Sequence, residues 1–213
     1  MTEKLEILLA RTAQLHEAVH EHVEGLIPAE GARYLVAFQA ALLSLEHATA
    51  ALALVKGGYY ASAYALMRPQ YESLVRGIWL LYAAGESRIA RLSRPLTTET
   101  ANSAAEGPML AEMLKDLESA PNAPQPIVEQ LKQYRDATWK ALNSFAHGGF
   151  HPLSRTLAGY PSELSYDVVR NSNAAMALTT QLAAVLSGNP HNMEAVRQLH
   201  IKFRDCLPIL ESG

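Results

Sequence analysis

Apolar residues recur at three- and four-residue intervals along nearly the whole chain, and no stretch alternates apolar with polar positions between turn signals. That periodicity predicts an all-α protein. Over residues 3–26, Leu5, Leu8, Thr12, Leu15, Val19 and Leu26 form a narrow stripe opposite acidic residues, as expected for a helix packed in a bundle or against a second copy. Pro28 closes it. Helices over 31–56 and 59–84 are separated only by Gly57-Gly58; a residue without a β-carbon reaches positive φ readily, so the pair is expected to fold back as a central antiparallel hairpin. Further helices are expected over 86–94, over 108–119, from Pro126 to His147, over 163–187, and from there to near Leu207. "PLTTETANSAAEGP" reads as a loop, and so does the stretch holding Pro152, Gly159 and Pro161. The pattern describes a single-domain helical bundle of about seven or eight helices over residues 1–213, without repeats or linkers.

Composition narrows the function classes. With 213 residues, 49% hydrophobic and 18% charged, the chain can bury a full core. A formal net charge of -3 gives no global attraction to nucleic acid or an anionic membrane, so any such binding must come from a local patch. Cys206 is the only cysteine, which excludes an internal disulfide and a thiolate zinc site and fits a reducing cytoplasm. In "MTEKLEILLARTAQ", Glu3 and Glu6 stand where a secretory leader needs a basic and then an apolar segment. The window "YLVAFQAALLSLEHATAALALV", residues 34–55, is long enough to span a bilayer, but Glu46 and His47 sit near its centre. It is expected to be a buried helix, with no membrane association.

Two helices carry polar residues that a core does not need. "RPQYESLVRGIW" places Arg68, Glu72 and Arg76 at i, i+4 and i+8, a charged stripe beside the small residues Ala61, Ala65 and Ala83. Pro69 within it should free the carbonyl of Ala65 and kink the helix. Either Glu72 bridges two arginines as a structural ion network, or it pins them so that guanidinium donors stay free for a phosphate or carboxylate ligand. On the long helix ending in "ALNSFAHGGFHP", Asp136, Lys140, Asn143 and His147 share one stripe, away from Val128, Leu131, Leu142 and Phe145. His147 and the following Gly148-Gly149 are explained as a dipole-favoured last turn and a helix stop. The same histidine beside Asn143 and Ser144 also suits proton transfer.

Other motifs weigh less. "HEAVHEH" sets His16 and His20 one turn apart with Glu17, but no second Glu-x-x-His faces them, so neither a metal nor another cofactor is expected. Arg88, Arg91 and Arg94 in "ESRIARLSR" make a short basic strip, either a solvated face or a phosphate contact. There is no glycine-rich phosphate loop, nucleophile elbow or nucleotide fingerprint.

The pairing of "GGYYASAYALMRPQYESLVRGIWLL" with the later "LNSFAHGG" resembles a group of uncharacterised bacterial helical proteins, domains of unknown function, associated with the HEPN superfamily. The resemblance implies a helical bundle, often a homodimer, working in the cytoplasm in a toxin-antitoxin or phage-defence setting with a cognate partner protein. Many HEPN proteins cleave RNA without metal, through an arginine and a histidine separated by a short spacer at a dimer cleft. His147 matches that histidine; the positions matching the arginine hold Leu142, Ala141 and Lys140, of which only Lys140 is basic. The implied roles are His147 as general acid or base, Asn143 orienting it, and Lys140, Arg68 and Arg76 stabilising phosphate charge, with Glu72 and Ser144 in the anion-binding set. The alternative is a non-catalytic homodimeric bundle that binds an anionic ligand or partner protein through the Arg68, Glu72 and Arg76 stripe. The two readings separate on whether His147 comes within reach of Arg68 or Arg76.

Overall fold

Gly58 reverses the chain at a φ of 81°, and the Tyr59 N–H reaches back to the Leu54 carbonyl at 2.8 Å. On either side run α2 (Ala32–Lys56) and α3 (Tyr60–Tyr82), packed along their lengths as the expected antiparallel hairpin. The computed structural model describes residues 2–100 and 107–208. Within them the remaining helices are α1 (Glu3–Glu24), α4 (Glu86–Leu92), α5 (Leu110–Ser119), α6 (Gln125–Ala146), α7 (Phe150–Ala158), α8 (Ser162–Leu186) and α9 (Asn192–Lys202), followed by a 3-10 turn at Arg204–Cys206. The described residues contain no strand, and the protein is all-α.

The core is one continuous cluster with α3 at its centre. α2 and α8 cover one side of α3, and α5 and α6 cover the other. Leu5, Leu8, Thr12, Leu15 and Val19 on α1 turn inward, so that stripe packs the bundle itself, chiefly against α8. α2 is by length and composition apolar enough to cross a membrane; here it buries Val36, Phe38, Ala41, Leu45, Ala48 and Val55 within the chain's own core. Gly77 is a close-approach point: a β-carbon there would stand 2.8 Å from Leu182 Cδ2 and 3.3 Å from the Ala37 carbonyl oxygen. A buried polar seam joins the same three helices. Gln70 Nε2 donates to the Ser172 carbonyl at 2.9 Å, Ser172 Oγ donates back to Gln70 Oε1 at 2.8 Å, and Ser44 Oγ donates to the Gln70 carbonyl at 2.9 Å. Such pairing removes the penalty that unpaired polar groups would carry in a core.

The structure differs from the sequence expectation in three places. The Pro152 stretch is helix α7, not a loop; Pro152 sits in the first turn, where a missing N–H breaks no intrahelical bond. The last helix stops at Lys202 rather than near Leu207, and the 3-10 turn takes the chain onward. Of the loop expected over 95–108, residues 98–100 are helical, and residues 101–106 lie outside the described residues. α3 is unbroken across Pro69.

Candidate functional site at the crossing of α3 and α6

A ladder of contacts fixes how α3 and α6 meet. Tyr71 stacks on Tyr134 with centroids 4.7 Å apart, the Arg68 guanidinium lies 5.0 Å from the centre of the Trp139 ring, and Tyr64 meets Phe145 edge-on at 5.2 Å. Moving back along α3 means moving forward along α6, so the helices are antiparallel and Arg68 is held between two aromatic pairs. Burial pushes the Tyr64 phenol up to about 12, and Tyr71 and Tyr134 are also raised, chiefly by burial. These rings therefore remain neutral hydrogen-bond donors: Tyr64 to Ser165 Oγ and Tyr71 to the Leu131 carbonyl, each at 2.6 Å.

Arg68 is the hub. Its Nε donates to Glu72 Oε1 at 2.9 Å, and its Nη1 meets Nε2 of His147. For a guanidinium, which has donors only, that contact requires an unprotonated Nε2 and places the imidazole proton on Nδ1. Two of the five guanidinium N–H groups are thus engaged, and the side chain is 21% exposed. His147 caps α6, its N–H bonded to the Asn143 carbonyl at 3.1 Å, and its ring is exposed. The result is a solvent-facing pair of a cation and a proton acceptor.

The other residues expected at the site are placed differently. Glu72 pairs with Arg68 and, among the described residues, not with Arg76, so the charged stripe is not a bridged triad. Each four-residue step turns a side chain by roughly 40° around a helix. Arg76 is thereby turned away toward the start of α5, where its Nη1 lies over Gly107, 3.1 Å from where a β-carbon would stand. It does not meet His147. Asn143 is half-buried with Oδ1 unpaired, and no hydrogen bond joins it to the His147 ring, so it does not orient that ring here. Ser144 Oγ accepts the His151 N–H at 2.9 Å and packs on Gly149, closing the turn from α6 into α7. Lys140 is exposed on the same helix, two turns before His147. Sequence reasoning missed Trp139, although it stands at i-8 from His147 and i-4 from Asn143.

The His16 and His20 pair separates. His16 is buried, and burial lowers its pKa to about 4; His20 is exposed, with Nε2 2.9 Å from Thr49 Oγ1. Among the described residues no group of three or more His, Cys, Asp or Glu is arranged to hold a metal. A concavity of about 400 Å³ lies between α3, α6, α8 and α9, with Tyr71, Gln130, Tyr134, Asn171 and His200 among its walls. It shares no residue with the Arg68 and His147 contact.

A family model described as "Family of unknown function (DUF6988)" matches residues 41–209, a span that includes α3 and α6. No curated protein and no solved structure matches the chain.

Proposed function

The chain belongs to this family of unknown function, DUF6988, and we propose from the cleft itself that the protein acts on RNA, cleaving or binding it without a metal ion. The observation that carries the reading is the contact between Arg68 and His147 across α3 and α6. It supplies, from another helix, the arginine that the HEPN-like pattern expects just before the histidine. A phosphodiester seated on the outward N–H groups of Arg68 brings its neighbouring 2′-hydroxyl to Nε2 of His147. The phosphate draws the Arg68 Nη1 N–H onto its own oxygen, which frees the Nε2 lone pair, and His147 takes the hydroxyl proton as O2′ attacks phosphorus. The P–O5′ bond breaks with its electron pair on O5′, the proton returns to O5′ through solvent, and the products are a 2′,3′-cyclic phosphate and a 5′-hydroxyl end. Arg68 offsets the charge that builds on the phosphoryl oxygens, while Glu72 and Trp139 keep its fork aimed. Lys140 adds positive charge nearby on α6.

The reading includes a homodimer. Phe150, Leu153 and Leu157 on α7 are 80%, 70% and 98% exposed, at i, i+3 and i+7, directly after the turn that carries His147. A second copy seated there would place two clefts side by side. A bacterial toxin-antitoxin or phage-defence role, cytoplasmic and with a cognate partner protein, belongs to the same proposal and rests on the HEPN-like resemblance alone.

A second reading, a non-catalytic bundle that binds an anionic ligand through Arg68, is favoured because among the described residues the His147 ring meets only Arg68, and no group holds its other nitrogen. Purified protein incubated with cellular RNA in chelator, beside His147→Ala, separates the two. Cleavage by the wild type alone supports the enzyme; equal cleavage by both, or none by either, excludes it.

A further inference from the structure

A second cluster of cations lies farther along α3. Arg76 reaches over Gly107, and Gly107 shares an open groove with Arg88 and Arg91 of α4 and Lys115 of α5, floored by Trp79. Among the described residues Arg88 Nη1 finds no hydrogen-bond partner, although it is cut off from solvent. Among the described residues no carboxylate pairs with Arg76, Arg88 or Arg91. Two carboxylates do face this groove, but each is already engaged by a neutral donor: Asp116 Oδ2 accepts from Trp79 Nε1 at 2.9 Å, and Glu112 Oε2 accepts the Met109 N–H at 2.7 Å. Glu86, which begins α4, is held by Arg33 at 2.5 Å. Among the described residues, four cations against two carboxylates leave a local excess of positive charge on a chain whose formal net charge is -3.

A structural ion network would pair these groups, because an unpaired buried guanidinium N–H is expensive. We propose that the Arg76, Arg88, Arg91 and Lys115 groove is a phosphate subsite for the same RNA strand that the Arg68 and His147 cleft engages. The proposal rests on the RNA reading above. Arg68 and Arg76 stand eight residues apart on α3, about 12 Å along its axis, too far for one phosphate to touch both. A ligand using both must therefore carry phosphates in series. The groove is open rather than enclosed, as suits a strand passing over it and not a small anion held within.

The test is fluorescence anisotropy of a labelled single-stranded RNA oligonucleotide across a salt series, with every protein carrying His147→Ala so that cleavage does not enter. Adding Arg76→Gln and Arg88→Gln together is expected to weaken binding tenfold or more and to flatten the slope of log affinity against log salt by about 1.4, the release from two single-strand phosphate contacts. Lys115→Glu, an exposed change that leaves packing intact, shifts both in the same direction and decides the matter if the double variant does not fold. Affinity and slope unchanged by these substitutions overturn the subsite, whether or not the wild type cleaves RNA. Weakened binding supports it even when the cleavage assay fails, and absence of RNA binding by the protein with His147 intact overturns both proposals.

Discussion

His147 and Arg68 stand 79 residues apart in sequence and touch where the end of α6 passes α3. The rings on either side, more than the charges, set that meeting. Tyr71 on Tyr134 and Tyr64 on Phe145 are each worth about 0.5 to 1.5 kcal/mol beyond the area they bury, whereas a partly exposed pair such as Arg68 and Glu72 contributes about 0 to 1 kcal/mol. Arg68 and Glu72 both belong to α3, so their pair does not hold the crossing, and the remaining guanidinium donors stay available to a ligand.

Arg68→Lys should therefore act on function and hardly on stability. A lysine keeps the charge but presents one ammonium where the fork now spans Glu72, His147 and the Trp139 face. Cleavage or binding of RNA is expected to fall by about ten- to a hundredfold, with a stability loss of about 1 kcal/mol or less. Full activity in the lysine variant, measured beside its urea midpoint, would mean that Arg68 acts only as a point charge.

Gly77→Ala probes the packing of α2, α3 and α8. The new methyl gains up to about 1 kcal/mol in helix propensity but enters space held by Leu182 Cδ2 and the Ala37 carbonyl, where overpacking costs about 1 to 3 kcal/mol. A net loss of about 1 kcal/mol in denaturant unfolding is expected, since the carbonyl can move only with its helix. A stabilised variant would show that α2 and α3 separate easily.

The fold was legible because helices announce themselves by period, and the Gly57-Gly58 turn between two long apolar runs left one way to fold them. α7 was hidden by Pro152, read as a breaker when its first-turn position makes it a starter. At the site, the sequence showed that Arg68 and His147 were out of place in a core. It did not show that they meet, because the partner of α3 is chosen by rings distributed over both helices. Nor did it show that Arg76 departs from its neighbours: i, i+4 spacing permits Glu72 to pair in either direction, and a single carboxylate here pairs with Arg68.

The α7 stripe gives an assembly prediction. If a second copy covers Phe150, Leu153 and Leu157, then Leu153→Glu with Leu157→Glu should convert a dimer to a monomer in sedimentation or size-exclusion measurements, with the melting point of the isolated chain little changed because both side chains are exposed. A wild-type monomer at high concentration rules this interface out.

His16 predicts how stability depends on pH. The ring is 5% exposed among Thr12, Asn173 and α2 residues, its Nδ1 has no hydrogen-bond partner among the described residues, and burial with the nearby His20 outweighs the opposing pull of Asn173 and lowers its pKa from 6.5 to about 4. Between those values the unfolded chain binds a proton that the folded chain refuses, so stability falls as pH drops from 6.5 toward 4 and is unaffected by this group above 7. The full difference is worth up to about 3 kcal/mol. His22, whose pKa burial also lowers, acts with the same sign, while Asp205, held low by Arg11, loses its contribution only in the carboxylate range below. His16→Leu should therefore flatten most of the decline between pH 7 and pH 5 in urea titrations while leaving the acid limb from the carboxylates. An unchanged slope in that window would mean that water reaches the ring and that His16 titrates normally inside the bundle.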